Sequence, residues 1–191
     1  MQIDRILYPI TTLGPGERLV IWTIGCSKHC YKCSNPELWN KNPDKNIDVS
    51  ELASITKQVI NNQSIDGITI TGGDPFEQIE ELNKLLALLQ EITDDVLVYT
   101  GYTIEEAEKI IPKSEWENMM QHTSVLIDGA YVDDLNDNEC VLRGSSNQNI
   151  IYLDETKKEL YSEYLKEGRT IQNVFYNEKM ISVGIHNREL L

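Results

Sequence analysis

Short apolar runs and helical-period stripes take turns along the chain, which predicts repeated strand-then-helix units. The first strand spans Leu19 to Ile24 and ends at Gly25. After a polar stretch, Asp48 can cap a helix with Glu51 in its first turn, and Val49, Leu52, Ile55, Val59 and Ile60 form its apolar stripe. Gly67 to Thr71 reads as a buried strand, halted by Gly72-Gly73-Asp74-Pro75, where glycines and a proline bar simple continuation. Ile79, Leu82, Leu85, Leu86, Leu89 and Ile92 recur at helical spacing, and Val96 to Thr100 is a third strand ending on Gly101.

Thr103 and Glu106 predict a capping box for a short helix closed by Pro112, and an acidic amphipathic segment then reaches about His122. Val125 to Ile127 is the fourth strand, ending at Asp128-Gly129, and Ile150 to Leu153 the fifth. Between them lies the polar loop 133–139, expected to be solvated. A last helix runs from Asp154 to Glu167 and stops at Gly168, and residues 170–185 form a hairpin turning near Asn177-Glu178-Lys179. The βα units are too few for an eight-stranded barrel. The expected fold is α/β: a partial, open βα barrel of parallel strands with outer helices, plus a C-terminal helix and β-hairpin. No linker or low-complexity segment divides the chain, so residues 1–191 are expected to form one domain, with about 154–191 as a C-terminal extension.

Composition narrows the function. With 17 basic against 31 acidic side chains and a formal charge of −14, the chain lacks the cationic surface that displaces counterions from a nucleic acid, so no nucleic acid partner is expected. No leader pattern opens the sequence and no apolar run approaches a membrane span, so a cytoplasmic protein without membrane contact is expected. Cys26, Cys30 and Cys33 crowd one stretch, and in a reducing compartment such a cluster binds metal rather than forming disulfides.

Three thiolates leave one coordination position open. Iron-sulfur clusters usually take four cysteines, and catalytic metal sites keep an exchangeable position where structural sites are closed. A zinc site completed by His29 or Cys140 is the alternative; otherwise Cys140 is a small buried residue. Every unusual loop follows the carboxyl end of a predicted strand, where parallel α/β folds bind ligands. The cysteine loop, Gly72 to Pro75, Thr100 to Tyr102 and Asp128 can therefore meet at one mouth.

Cys-x3-Cys-x2-Cys after the first strand and Gly-Gly-Asp-Pro after the second resemble the motifs of radical S-adenosylmethionine enzymes. Gly14-Pro15-Gly16, the loop end at Asn35, Thr100-Gly101-Tyr102, Val125 to Gly129 and Arg143-Gly144-Ser145-Ser146-Asn147-Gln148 carry the likeness further, toward the glycyl radical enzyme activases that serve anaerobic ribonucleotide reductase. The resemblance implies a [4Fe-4S] cluster on Cys26, Cys30 and Cys33, with S-adenosyl-L-methionine at the open iron. It implies a flavodoxin or ferredoxin as electron donor, and a partner that is anaerobic ribonucleotide reductase or another glycyl radical enzyme. Cofactor contacts implied with it are Lys32, Ser34, Gly72, Gly73, Asp74, Thr100, Asp128 and Arg143. Two positions depart from the pattern: Lys32 stands where an aromatic residue often precedes the third cysteine, and Ala130 where a lysine often follows the strand-end aspartate. A similar radical enzyme acting on a different protein, peptide or small molecule, with the tail as lid, is an alternative, as is a non-catalytic zinc or Fe-S module.

Overall fold

The computed structural model describes residues 1–61 and 65–188. All the predicted strands form, and an unannounced one precedes them. In chain order the strands are β1 (Ile3–Ile10), β2 (Arg18–Thr23), β3 (Gly67–Gly72), β4 (Val96–Tyr99), β5 (Val125–Asp128), β6 (Asn149–Tyr152), β7 (Ile171–Tyr176) and β8 (Lys179–Gly184). The helices are α1 (Val49–Val59), α2 (Ile79–Leu89), α3 (Ile104–Ile110), α4 (Lys113–His122) and α5 (Lys158–Tyr164).

β1 to β6 form one sheet in chain order, and β7 and β8 a separate antiparallel hairpin. Only β2 to β5 are parallel; β1 and β6 pair antiparallel at the two edges, which corrects the expectation of parallel strands throughout. A parallel crossover needs a dozen or more residues and usually a helix. Residues 11–17 are too few for one, and 129–148 carry only a single 3-10 turn, Asp133–Leu135. β1 escaped the hydrophobic pattern because its buried positions include Arg5 and its end carries Pro9, a residue suited to an edge strand.

Strand alternation splits the core in two. Leu19, Ile21, Ile68, Ile70, Val96, Val98 and Leu126 face α1 to α4. On the opposite face, Val20 and Trp22 pack with Val183 of β8, while Leu97, Val125 and Ile127 pack with Tyr161 and Tyr164 of α5. The C-terminal extension therefore covers the second face of the sheet. This explains why β2 is buried at every position and reads as an unbroken apolar run.

Local signals act largely as expected. The Asp48 side chain accepts from the N–H groups of Ser50 and Glu51, and Thr103 and Glu106 close a full capping box. The buried face of α1 differs from the predicted stripe: Ala53 and Thr56 point inward and Val59 outward. The last helix is shorter than expected, with α5 flanked by 3-10 turns at Glu155–Lys157 and Leu165–Glu167. Asn177 and Glu178 both take positive φ, as a tight hairpin turn requires. Among the described residues no helix is long and apolar enough to cross a membrane.

Candidate functional site

Past the carboxyl end of β2 the chain enters a loop with little regular structure, Gly25 to Asn35. It is held at both sides. Gly25 N–H donates to Leu38 O and Cys26 N–H to Trp39 O, while Glu77 accepts from Ser27 N–H at 3.1 Å and from Tyr102 Oη at 2.8 Å. Lys28 Nζ lies 4.1 Å over the Tyr102 ring and 2.6 Å from Glu106 Oε2. His29 and Lys32 take left-handed backbone conformations, φ 45° and 56°, which kink the loop around its sulfurs. Burial pushes the Cys26 and Cys30 thiols above the ordinary range, against the backbone N–H groups of Lys28 and His29 for Cys26 and of Tyr131 for Cys30, which favour the thiolate. Asn35 N–H lies 3.4 Å from Cys33 Sγ.

The three cysteines line one cavity of about 620 Å³ with Lys32, Ser34, Gly72, Gly73, Asp74 and Thr100. Gly72 and Gly73 serve chain packing first. A Cβ on Gly72, at φ 114°, would meet the Thr23 backbone, and one on Gly73 the Gly25 carbonyl. Gly73 N–H donates to Thr23 O and Asp74 N–H to Gly25 O, so the ends of β2 and β3 are clasped together. Among the described residues no donor engages the Gly73 carbonyl.

Asp74 fastens the next loop. Its carboxylate accepts from Thr100 Oγ1 at 2.9 Å, Gly101 N–H at 2.8 Å and Phe76 N–H at 3.0 Å. Burial pushes its pKa up to about 6 against those hydrogen bonds. Raised from 3.8, the folded carboxyl binds more protons than the unfolded one between about pH 4 and 6, so it favours the native state at low pH and loses that contribution as pH rises. For the iron-free protein, the unfolding free energy of wild type minus that of Asp74→Asn is expected to fall by roughly 2 kcal/mol from pH 4 to pH 7 in urea titrations. A difference that stays level would show that Asp74 does not titrate there.

Asp128 and Arg143 stand outside the cavity wall. Asp128 accepts from Ile104 N–H and Asn149 Nδ2, tying α3 and β6 to the end of β5. Arg143 Nη1 donates to Gln148 O, within a loop that braces itself: Gln148 Oε1 accepts from Gly144 N–H and its Nε2 donates to Gly129 O.

Several wall residues carried no sequence signal. Arg5 comes from the unread strand β1, Tyr131 from the stretch just after Gly129, and Asp133 and Asn136 from the loop 133–139 expected to be solvated. Asp133 is only 7% exposed. It receives Tyr131 Oη at 2.9 Å and ion pairs with Lys32 and Arg188, contacts that outweigh burial and hold its carboxyl below the usual range. Residues 182–188, the end of β8 and the strap beyond it, complete the wall. Their anchors are Arg188 on Asp133 and Asp134, and Arg169 on the His186 carbonyl.

The zinc alternative needs a fourth side chain. His29 is stacked on Trp39 with centroids 4.7 Å apart, and Cys140 donates to Asp137 Oδ2 at 3.1 Å. Among the described residues no three His, Cys, Asp or Glu side chains stand close enough to hold a single metal ion. A four-iron cube takes each thiolate on a separate iron and spaces them more widely than one ion does.

A family described as a 4Fe-4S single cluster domain matches residues 12–151. The anaerobic ribonucleoside-triphosphate reductase-activating protein of Salmonella typhi is 31% identical over 156 residues, covering 76% of this chain and 96% of that protein. Its counterpart in Enterobacteria phage T4 is 30% identical, covering 78% and 93%. The pyruvate formate-lyase-activating enzyme of Staphylococcus aureus (strain USA300) is 30% identical, covering 74% of this chain and 57% of that enzyme. With three half-buried thiols on one cavity wall and a match spanning β2 to β6, the chain belongs to the 4Fe-4S single cluster domain family.

Proposed function

We propose that this protein is a glycyl radical enzyme activase serving anaerobic ribonucleotide reductase, working with a [4Fe-4S] cluster and S-adenosyl-L-methionine. One observation carries the reading: Cys26, Cys30 and Cys33 share a cavity with the loops ending β3 and β4, in a chain similar along nearly the whole length of a reductase-activating protein. The donor set fits the group, because three thiols on one cavity wall supply three of a cluster's usual four ligands and leave one iron exchangeable. When bound, the cluster and S-adenosyl-L-methionine supply one-electron cleavage of the sulfonium to methionine and a 5′-deoxyadenosyl radical.

The chain's own residues bind, orient and exclude water. Cys26, Cys30 and Cys33 would hold three irons. The Gly73 carbonyl is the acceptor we assign to the methionine ammonium, fixed in place by the clasp between β2 and β3. Lys32, Ser34 and Thr100 are assigned to the adenosine part, with Asp74 holding Thr100 and Gly101 in position. Asp128 and Arg143 serve the site by bracing loops rather than by touching the cofactor. Residues 182–188 shield the cavity from solvent, which protects a reactive radical.

We further read the sheet as an open partial barrel whose mouth admits the partner's glycine segment, and residues 1–191 as one unit, of which 62–64 and 189–191 lie outside the described residues. A flavodoxin or ferredoxin is the assigned electron donor, in the cytoplasm, where free thiols stay reduced. After anaerobic reconstitution with iron and sulfide, reduced protein with S-adenosyl-L-methionine is expected to form 5′-deoxyadenosine. Addition of an anaerobic ribonucleotide reductase is then expected to give a glycine-centred radical in electron paramagnetic resonance. Cofactor cleavage without any reductase radical would move the assignment to another substrate, and no cleavage by loaded protein would end it.

A further inference from the structure

Among the described residues, Arg5 is the one buried cation on the cavity wall whose charge neither the family match nor the proposed cofactor contacts use. It lies on β1, outside residues 12–151, and is 8% exposed. Its guanidinium sits 4.8 Å over the Trp22 ring, Nη1 meets Asp4 at 2.6 Å, and Nη2 donates to Asn35 Oδ1 at 3.0 Å. Arg5 Nε is buried without a partner among the described residues.

Asn35 gives this contact its meaning. It occupies the N-cap of the 3-10 turn Pro36–Leu38, where an asparagine side chain ordinarily accepts from the first turn, yet it makes no such bond. Its carboxamide oxygen is given to Arg5 instead, while its own N–H points at Cys33 Sγ, 3.4 Å away. Arg5 thus grips the residue that donates to the third cysteine sulfur. Hydrogen bonds to the sulfurs of an iron-sulfur centre favour its more negative, reduced form and raise its reduction potential.

We propose that Arg5 is a positioning residue for the iron-sulfur centre: by holding the Asn35 carboxamide it keeps the Asn35 N–H on the Cys33 sulfur and so sets the reduction potential. The inference rests on the cluster reading given above. It predicts that Arg5→Met and Asn35→Ala act on one path, since each cuts the same link while leaving the three thiolates and the Asn35 N–H in the chain.

The test is a redox titration of reconstituted wild type, Arg5→Met, Asn35→Ala and the double variant, followed by electron paramagnetic resonance of the reduced cluster, with iron and sulfide counted in each. Each single variant is expected to lower the ratio of reduced to oxidised cluster about tenfold at a fixed solution potential, equivalent to 59 mV for a one-electron couple. The double variant is expected to add nothing further, and Arg5→Lys, which keeps a donor to Asn35, to restore most of the shift. A fully loaded Arg5→Met with wild-type potential, or additive shifts in the double variant, overturns the proposal. Should Arg5→Met lose iron, Asn35→Ala decides alone, an unchanged potential counting against the link. Wild-type protein that takes up no cluster would instead sink the cluster reading, and the Arg5 inference with it.

Discussion

Cys26→Ala, Cys30→Ala and Cys33→Ala are each expected to give a colourless protein that forms no more 5′-deoxyadenosine than iron-free wild type, whereas Cys140→Ala keeps both colour and turnover. The contrast follows from placement. The three cysteines lie half-buried on one loop that faces the cavity, so each removal takes a ligand from a centre that has no spare. Because none of the three sits in a packed core cluster, their loss is expected to leave the fold intact. Cys140 is buried and bound to Asp137, and Arg169 donates to its carbonyl, so its substitution touches packing and not the cavity. Iron and sulfide content, read beside a thermal melt, checks this. Loss of the cluster in Cys140→Ala, or its retention in any of the other three, would break the ligand assignment.

How much of this was legible depended on how local the signal was. The strands β2 to β5 announced themselves because both faces of the sheet are covered, which forces apolar residues at successive positions. The caps at Asp48 and Thr103 were legible for the same reason, since side chain and target lie within one turn. The direction of β6 was not: a fifth apolar run looks the same whether it enters parallel or antiparallel, and only the absence of a crossover helix between Gly129 and Gln148 settles it. In the site, sequence spacing brought the cysteine loop and the glycine loop together. Arg5 and Asp133 were hidden because their burial comes from partners far along the chain, Asn35 in one case and Arg188 in the other.

Gly14-Pro15-Gly16, which helped to carry the family likeness, lies at the other end of the sheet. A Cβ on Gly14 would fall 2.6 Å from Arg18 Cδ, and one on Gly67 would collide with the Arg18 guanidinium. These glycines are spaces cut for a wholly buried arginine at the start of β2. The motif therefore supports the scaffold from which the cysteine loop departs.

Asp95→Ala is accordingly expected to cost about 3–5 kcal/mol of stability, the usual range for stripping one partner from a buried ion pair. Arg18 and Asp95 pair at 3.0 Å with side chains 0% and 2% exposed, and Arg18 also donates to Thr69 Oγ1 and the Ile68 carbonyl. Asp95 Oδ1 accepts from Tyr161 Oη at 2.8 Å, so the same carboxylate anchors α5 to the sheet. Removing it leaves a buried cation without its counter-charge and a buried hydroxyl without its acceptor. The exposed pair Lys57–Glu91 is the internal control, where Lys57→Ala is expected to cost less than about 1 kcal/mol. Urea unfolding of the iron-free proteins compares the two. An Asp95→Ala variant within about 1 kcal/mol of wild type would mean that the arginine relaxes outward, and the glycine spaces at 14 and 67 would then need another explanation.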